Sequence, residues 1–247
     1  MRYLQAILAH KDFIWPERYY EFSYNDYCMT VFTQNPNLHT NLKNVHVYNG
    51  LDSKLYGELS IWYYLYNNTP DFDKISLNHY RRRMDAVYPH MENVVTLPYP
   101  VTLKNTLFEQ FILSHGCIFA NALKEVLPEQ DKELFMKSNV MFPYTMFCAD
   151  KKILGHWLAY CTNIVDKMSK NLGIIDRKSC EEFIQSDKCD CLKSVEGRNN
   201  TVDYQSRILG FVTERLNSLF WYKFVLSNNG YQIYYNNVEL LDNNQRI

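Results

Sequence analysis

The feature that most constrains the fold of this chain is a short apolar run that ends abruptly in polar and basic residues. In Asp73–Arg83, which reads DKISLNHYRRR, the run Ile75–Leu77 passes without a turn residue into Asn78, His79, Tyr80 and three arginines. Short apolar runs of this kind are typical of buried parallel strands. Because ligands of open α/β sheets bind outside the carboxyl ends of the strands, the sequence predicts an α/β fold with a binding site at this strand end.

The three arginines make an anion the expected ligand. A guanidinium group keeps its charge and presents a planar set of donors that suits phosphates and carboxylates. Alternate residues of a strand point to opposite faces, so Arg81, Arg82 and Arg83 cannot all contact one ligand. A basic turn that is merely solvated is the alternative interpretation. The direct join between a buried strand and a cluster of donors favours the anion site.

Further apolar runs predict a mostly parallel sheet flanked by helices. The predicted strands are Tyr3–Ala9, Cys28–Phe32, Val45–Tyr48, Ile75–Leu77, Phe142–Ala149 and an edge strand in Tyr231–Leu240. The predicted helices are Ser53–Tyr66, Leu107–Leu127 with an interruption at His115–Gly116, Lys151–Met168 and Ser206–Trp221. No Pro/Gly/Ser-rich linker divides the 247 residues, so one domain is expected over residues 1–247, with a polar excursion at 172–202 and a C-terminal extension at 223–247.

Composition argues against several classes of protein. A net charge of −1 gives no general attraction to nucleic acid or to a membrane surface. No signal-peptide pattern and no long apolar run is present, which predicts a cytoplasmic protein with at most peripheral membrane association. The seven cysteines lack the regular spacing of a secreted disulfide framework. Cys180, Cys189 and Cys191 share one polar stretch, but no matching Cys–x–x–Cys pair accompanies them, so zinc is not expected and their role stays open.

The first strand also ends in residues that can meet a ligand. Ala9, His10 and Lys11 follow its apolar run, and the end of a first strand is a common nucleotide-facing edge in α/β domains. A lone lysine at such a position can equally be solvated. No glycine-rich phosphate loop or dinucleotide fingerprint is present, so neither a P-loop nor a dinucleotide-binding motif can be assigned to this strand end.

Two predicted helices carry charges beside their apolar stripes. Glu58 lies next to the buried stripe of its helix and can be a structural partner of an arginine or a ligand contact. Arg215 falls inside the stripe of the last helix and must find a carboxylate or a phosphate, for which Glu58 is the predicted partner. Arg207 and Glu214 share the flank of that helix, either as an ion-pair network or as part of a site.

Several segments, in the same order, resemble a bacterial domain-of-unknown-function family found in capsular-polysaccharide, exopolysaccharide and O-antigen clusters, some members of which are assigned as glycosyltransferases. The segments are AILAHKDF, YGELSIWYYLYNN, DKISLNHYRRRMD, YTMFCADKKIL and YQSRILGFVTERLNSLFW, which together reach to about residue 222. The chain departs from the family in Leu172–Val202 and where the family has an asparagine-methionine strand, here Tyr144–Met146. The departures concern acceptor contacts more than the fold, and the resemblance makes Thr145 a candidate for donor binding.

The resemblance implies a glycosyltransferase with a GT-A-like, nucleotide-sugar-binding fold. In that fold an acidic DxD motif follows a central strand and holds a divalent metal on the donor diphosphate. Here Asn78–Tyr80 stands at the comparable position, and these side chains are poor ligands for Mg²⁺ or Mn²⁺. Arg81 and Arg82 would neutralise the diphosphate directly. Transfer without a metal is therefore expected, with Asp73 and Asp85 as the carboxylates that a metal would recruit.

The predicted function is transfer of a sugar from a nucleoside-diphosphate donor, such as a UDP-sugar, to a hydroxyl of a bacterial surface polysaccharide or of its lipid-linked precursor. The end of the first strand would meet the nucleotide, and Asn78–Arg82 the diphosphate or the donor sugar. Glu214 is the first candidate for a general base and Glu58 the second. The sequence leaves open whether the reaction inverts or retains configuration.

Three alternatives remain at this point. The first is another phosphate-ester transferase, in which the arginines bind a different phosphorylated donor. The second is a non-catalytic module that binds glycan or nucleotide within a polysaccharide assembly complex. The third, a metal site at His10, His46 or His79, has the least support because no pair of histidines has helical i, i+4 spacing.

Overall fold

The computed structural model describes residues 1–15, 27–84, 88, 90–194, 200–227 and 229–240. Asp85, considered above as a metal ligand, lies outside the described residues, as does part of the 172–202 segment. The described residues form a mixed α/β structure with a central, mostly parallel sheet between helices. This architecture confirms the predicted α/β class.

The strands are β1 Tyr3–Leu8, β2 Tyr27–Thr33, β3 Val45–Val47, β4 Lys74–His79, β5 Arg82–Met84, β6 Val94–Pro98, β7 Val101–Thr102, β8 Val140–Met141, β9 Cys148–Asp150, β10 Gln232–Asn236 and β11 Val238–Leu240. The helices are α1 Ser53–Tyr56, α2 Glu58–Asn68, α3 Leu107–His115, α4 Cys117–Val126, α5 Glu129–Lys137, α6 Lys151–Leu172, α7 Arg177–Gln185, α8 Cys191–Ser194, α9 Val202–Gln205 and α10 Ile208–Leu226. No helix in the described ranges is long and apolar enough to cross a bilayer.

The sheet has the strand order β10-β6-β9-β4-β1-β2-β3, and β5 joins β4 to β11 beside this path. Strands β1, β2, β3 and β4 run parallel to one another, and β9 runs antiparallel between β4 and β6. In the register between β1 and β4, Leu8 lies opposite His79. The residues that follow the two strands, His10 and Lys11 on one side and Tyr80 and Arg81 on the other, therefore emerge at the same sheet edge.

The two faces of the sheet are covered unequally. On one face, Ile75 and Leu77 of β4 pack into the main core together with Trp62 of α2, Trp157 of α6 and other side chains from α10. On the other face a smaller core surrounds Ile7, Phe13, Trp15 and Tyr80. All six residues of β4 are buried. Full burial of a large apolar side chain stabilises the fold by about 1.5–3 kcal/mol, which explains why Ile75 and Leu77 are the β4 residues that enter the main core.

The helix predicted at Ser53–Tyr66 is two helices, α1 and α2, separated by Gly57. Gly57 has φ 57° and ψ −138°, a conformation that residues with a side chain rarely adopt. A Cβ atom at this position would lie 3.1 Å from the Cα atom of Gly210 in α10. The break thus lets α10 approach the chain closely and places Glu58 at the first turn of α2, beside α10.

This crossing predicts a large effect of Gly57→Ala. We expect the free energy of unfolding to fall by about 1–3 kcal/mol from backbone strain, and further because the methyl group meets the α10 backbone. Gly173→Ala is the matched control, since Gly173 also has positive φ, 69°, but no heavy atom lies within 4 Å of its added Cβ. Urea unfolding measures both variants, and equal losses would show that the helix crossing tolerates the methyl group.

The prediction of a strand over Phe142–Ala149 was wrong for the residues before Cys148. Pro143–Thr145 form a 3₁₀ turn in which Tyr144 and Thr145 have φ values of 73° and 53°. The backbone of this turn is satisfied by side chains instead of a strand ladder, because Trp62 Nε1 donates to the Thr145 carbonyl at 3.0 Å and Asn217 Nδ2 donates to the Phe142 carbonyl at 3.1 Å. Only β9 remains of the predicted strand.

Other elements differ from the prediction in informative ways. Strand β6 lies in a proline-punctuated stretch that gave no strand signal, and α5 was not anticipated.

The 172–202 segment contains α7 and α8 instead of a structureless excursion. Helix α7 buries only Cys180 and Ile184 against the core, which explains its weak periodicity. The predicted edge strand is present as β10, parallel to β6, and is followed by β11, antiparallel to β5.

Candidate active site at the carboxyl end of the sheet

A cavity of about 900 Å³ opens at the carboxyl ends of β1 and β4. Its walls come from the ends of these strands, the segment after β2, the start of α1 and the starts of α7 and α10. The lining residues are His10, Lys11, Gln34, Asn35, Pro36, Asp52, Ser53, Lys54, Tyr80, Arg81, Arg177, Asp203 and Arg207. The cavity therefore lies at the sheet edge that the sequence indicated.

The cavity carries positive charge that protein groups do not neutralise. Arg177 is bound to Glu181 and Asp203, each at 2.7 Å. Within the described ranges, by contrast, the side chains of Lys11 and Arg207 form no ion pair and no hydrogen bond; the Arg207 guanidinium lies 5.6 Å from the ring centroid of Phe211. Cations held in a concave site without an acidic partner suit an anionic ligand.

The N-terminus of α10 adds to the positive electrostatic potential of the cavity. Arg207 is the N-cap residue of α10 and gives the helix no side-chain hydrogen bond. The first backbone N–H groups of a helix carry partial positive charge and bind anions such as phosphates. Because Arg207 lies in the cavity wall, α10 begins at the cavity as well.

The two histidines of the strand ends are neutral at pH 7. Burial, followed by the charges of Arg207, Arg81 and Lys11, lowers the pKa of His10 to about 4. Burial and the neighbouring basic groups hold the pKa of His79 well below its usual value. His79 is only 4% exposed and does not line the cavity, and its Nδ1 accepts a hydrogen bond from the Arg81 backbone N–H at 3.3 Å. His79 therefore contacts the backbone of the arginine turn, and its role in donor binding stays a prediction.

Buried neutral histidines predict a loss of stability in mild acid. Burial, followed by the charge of Arg215, lowers the pKa of His115 to about 3. In the unfolded chain this imidazole takes up a proton near pH 6.5, so below that pH the unfolded state binds more protons and the free energy of unfolding falls. We expect a loss of up to about 1.4 kcal/mol per pH unit from His115 between about pH 6 and pH 4.5. Urea titrations of wild type and His115→Gln test this, and an unchanged slope in the variant would contradict it.

The three arginines diverge because Arg81 lies in the turn after β4, whereas Arg82 and Arg83 lie in β5. Arg81 lines the cavity, with its guanidinium carbon 5.4 Å from the ring centroid of Tyr80. Arg82 lies in β5, opposite His79, and its guanidinium carbon lies 4.3 Å from the ring centroid of Tyr144. Arg82 does not line the cavity. Among the predicted diphosphate ligands, the structure therefore favours Arg81 and separates Arg82 from it.

Three further predicted donor-binding residues are buried within the fold. Ala9 is fully buried, and its N–H donates to the Phe32 carbonyl at 3.0 Å. Asn78 is also fully buried, and its Oδ1 accepts from the Met84 N–H at 3.0 Å. These two residues hold the sheet edge and do not line the cavity, and their role in donor binding stays a prediction. Thr145 is fully buried too, and within the described residues its Oγ1 has no hydrogen-bond partner.

The predicted pair between Arg215 and Glu58 was wrong. Arg215 Nη1 lies 3.3 Å from Glu214 Oε2, and its Nη2 donates to Gln110 Oε1. Arg215 is almost fully buried, with its guanidinium carbon 5.1 Å from the ring centroid of Phe111, whereas the Glu214 side chain is 26% exposed. The sequence treated neighbouring helix positions as facing apart, but a long arginine side chain can fold back to its neighbour.

Glu58 is left in a different environment from Glu214. Burial, followed by the charge of Glu214, raises the pKa of Glu58, and the charges of Arg207 and Arg82 oppose this effect. Glu214, Arg207 and Arg82 thus all act electrostatically on Glu58, and of these four residues only Arg207 lines the cavity. Two carboxyl groups in different surroundings are the arrangement that separates acid and base roles in many enzymes.

Sequence reasoning missed most of the cavity wall. The position of Arg207 immediately before an apolar helical pattern is the signal that marks it as a helix N-terminus facing a ligand. Arg177 and Asp203 come from segments with weak periodicity, and their meeting depends on long-range packing of α7 against α9. Asp52, whose Oδ1 accepts from the Lys54 N–H at 2.8 Å, is a recognisable N-cap of α1.

The residues at this strand end do not fit a hard divalent cation. The described residues contain no group of three or more His, Cys, Asp or Glu side chains that could hold a metal ion. Asp73 lies before the first residue of β4, at the opposite end from the cavity, and accepts from the Arg2 N–H at 2.7 Å. Cys189 and Cys191 lie close together, with their Sγ atoms 3.2 Å apart, but as free thiols.

No family model matches the chain, and no curated protein matches it. The fold is nevertheless similar to that of a glycosyltransferase of solved structure, and the match extends over nearly the whole of this chain. That structure is the apo form of WbbM, a bifunctional glycosyltransferase, with a TM-score of 0.64 and 12% sequence identity. The match covers 98% of this chain and 46% of the WbbM chain, so this chain spans less than half the length of WbbM. At this identity the likeness shows a glycosyltransferase-like fold and nothing finer.

Proposed function

We propose that this protein is a glycosyltransferase that moves a sugar from a nucleoside-diphosphate donor, such as a UDP-sugar, to a hydroxyl of a bacterial surface polysaccharide or its lipid-linked precursor. The observation that carries the proposal is the cavity at the carboxyl ends of β1 and β4, in which Lys11 and Arg207 have no acidic partner among the described residues. Its volume of about 900 Å³ lies within the range of sites for ligands of this size. The glycosyltransferase-like fold supports the same conclusion.

In this proposal the donor diphosphate lies against Lys11, Arg81, Arg207 and the first turn of α10. Negative charge grows on the diphosphate as its bond to the sugar breaks, and fixed cations in a partly water-excluded site stabilise that charge. Burial keeps His10 and His79 neutral, so the cavity's fixed charge comes from the lysine and the arginines. No step requires a metal ion.

Glu214 is the proposed general base for the acceptor hydroxyl. Its side chain is partly exposed, and its contact with Arg215 fixes its orientation. A carboxylate within hydrogen-bond reach of the acceptor can remove the hydroxyl proton as the new bond forms. The acceptor would approach along α10, on which Glu214 follows the cavity-lining Arg207 by seven residues.

Nucleotide binding tests the diphosphate assignment. We expect Arg81→Met and Arg207→Met each to weaken UDP binding by about tenfold or more, because each removes a charge-assisted contact. Arg82→Met should change UDP affinity much less, since Arg82 lies outside the cavity wall. Lys137→Met, which removes an exposed cation of α5, is the matched control. Calorimetry in excess EDTA makes the measurement, and loss of binding that Mn²⁺ restores would show a metal site instead.

Equal UDP affinity in wild type, Arg81→Met and Arg207→Met would contradict the proposal. Tight binding of UDP-sugars without any release of UDP in the presence or absence of acceptors would instead support a non-catalytic binding module. Release of a nucleotide from a different phosphorylated donor would support the other phosphate-ester transferase.

A further inference from the structure

Two neighbouring thiols in the 172–202 segment take no part in the proposed function. Cys189 and Cys191 are free cysteines, and their Sγ atoms lie 3.2 Å apart. Cys189 follows the turn after α7, and Cys191 is the first residue of α8. Both are almost fully buried, but Lys188 and Lys193 beside them are exposed. The pair therefore lies just beneath the surface of the protein.

The residue between the two thiols fixes this segment to α4. Asp190 Oδ2 accepts a hydrogen bond from the Cys117 N–H at 2.8 Å, and its Oδ1 accepts one from the Ile118 N–H at 3.1 Å. These N–H groups belong to the first two residues of α4. Gly116 permits the close approach, because a Cβ atom there would lie 2.6 Å from Asp190 Oδ1 and 2.9 Å from the Cys191 Cα atom. The backbone that carries both thiols is thus held in place, and the two sulfur atoms stay close together.

The two thiols are suited to unequal roles in an oxidation. The hydrogen bond between them lowers the pKa of the Cys189 thiol. The thiolate is the form of cysteine that attacks an oxidant, and a second thiol beside it resolves the product as a disulfide. A disulfide needs its sulfur atoms about 2.05 Å apart, so closure brings these two together by about 1 Å from their separation of 3.2 Å. Cys180, the third cysteine of the segment, instead donates to the Ser206 carbonyl at 3.7 Å.

We propose that Cys189 and Cys191 form a redox-active dithiol that a small peroxide, such as hydrogen peroxide, oxidises to a disulfide. A small oxidant is required because both thiols are almost fully buried. This inference is independent of the proposed function, since it concerns a separate site with its own chemistry.

The atoms and electrons of the oxidation balance with one peroxide molecule. The Cys189 thiolate attacks a peroxide oxygen and the O–O bond breaks, which gives a sulfenic acid on Cys189 and a hydroxide that takes up the proton lost by that thiol. The Cys191 sulfur then attacks the Cys189 sulfur, the S–S bond forms, and the sulfenic hydroxyl leaves with the Cys191 proton as a second water. Two thiols have lost two electrons and two protons, and a dithiol reductant reverses the change.

Peptide mass spectrometry of the wild-type protein tests the proposal directly. After treatment with hydrogen peroxide, the unfolded protein should take up two fewer alkyl groups than the seven that its reduced cysteines accept. Trypsin cleaves after Lys188 and Lys193, so both thiols fall in one peptide, 189–193, which should be two hydrogen atoms lighter until dithiothreitol restores it. Full alkylation of this peptide, or a disulfide that joins it to the peptide 179–188 that carries Cys180, would overturn the proposal.

Serine variants test the order of the two steps. Cys191→Ser removes the resolving thiol, so a sulfenic acid should accumulate on Cys189 and be trapped by dimedone. Cys189→Ser should react with peroxide at least about tenfold more slowly than wild type, because the remaining thiol lacks its partner. Cys28→Ser, which removes a partly exposed thiol of β2, is the matched control and should form the disulfide at the wild-type rate.

Two results would count against the roles of these thiols. Peroxide reaction of Cys189→Ser at the wild-type rate would overturn the assignment of Cys189 as the attacking thiol. Disappearance of the disulfide in Cys28→Ser would show that the pair does not act alone and would overturn the proposed site. The wild-type peptide masses decide the proposal even if a serine variant does not fold.

Discussion

Replacing Glu214 by glutamine should reduce the rate of sugar transfer by about 10²–10⁴-fold, because a side-chain amide cannot accept the proton of the acceptor hydroxyl. UDP affinity near neutral pH should change far less than the rate, since Glu214 does not line the cavity that holds the diphosphate. The fold should survive, because Gln Oε1 can still accept from Arg215, at a cost of about 1–2 kcal/mol for the lost charge. Single-turnover rates, UDP affinity and melting temperature together measure these three effects.

Glu133→Gln is the matched control for this experiment. Glu133 is an exposed residue of α5 that pairs with Lys137 at 2.7 Å, so its amide variant should transfer sugar at the wild-type rate. Full activity in Glu214→Gln would show that the carboxylate belongs to the scaffold. If Glu58→Gln alone abolished transfer, with Glu214→Gln active, Glu58 would be the base.

Arg215→Met should cause the largest loss of stability among single side-chain changes at the site. The methionine keeps most of the length of the side chain, but the contacts with Glu214, Gln110 and the ring of Phe111 disappear. Removing one partner of a buried pair costs about 3–5 kcal/mol, and the lower end applies because Glu214 is partly exposed to water. For a chain of this size a loss of about 3 kcal/mol lowers the melting temperature by roughly 6–12 °C.

A double-mutant cycle identifies the partner of Arg215. Residues in contact show coupling energies of about 0.5–3 kcal/mol, whereas distant residues are additive. We expect coupling between Arg215→Met and Glu214→Gln, and additivity between Arg215→Met and Glu58→Gln. Coupling to Glu58 with additivity for Glu214 would restore the pair that the sequence suggested and contradict the contact in the structure.

Local patterns were sufficient to predict the strand that carries the site and the edge at which the site lies. The join between Ile75–Leu77 and the arginines, together with the end of the first strand, is a local signal that survives folding. Strand alternation predicted that the arginines diverge, but in the structure the cause is the turn that places Arg81 outside β5. These features were predictable because each depends on residues close together in sequence.

The remaining site geometry depends on contacts between distant segments. The partner of Arg215 is set by side-chain packing around Gln110 and Phe111 in α3, which no spacing rule reveals. The turn at Tyr144–Thr145 exists because Trp62 and Asn217 satisfy its backbone, although its sequence reads as a strand. Helical spacing likewise gave no sign of the close backbone crossing at Gly57.

The strand pairing around β5 has a consequence for how the protein is made. Strand β5, which carries Arg82, pairs on one side with His79 of β4 and on the other with β11, where Leu240 lies opposite Arg82. Strand β10, also from the end of the described chain, covers β6. Domains fold in step with synthesis, and pairings between distant segments form slowly because a long loop must close first. A ribosome-bound chain from which residue 240 has not yet emerged therefore lacks the outer neighbour of β5, and the arginine hairpin acquires this support only after β11 has left the ribosome.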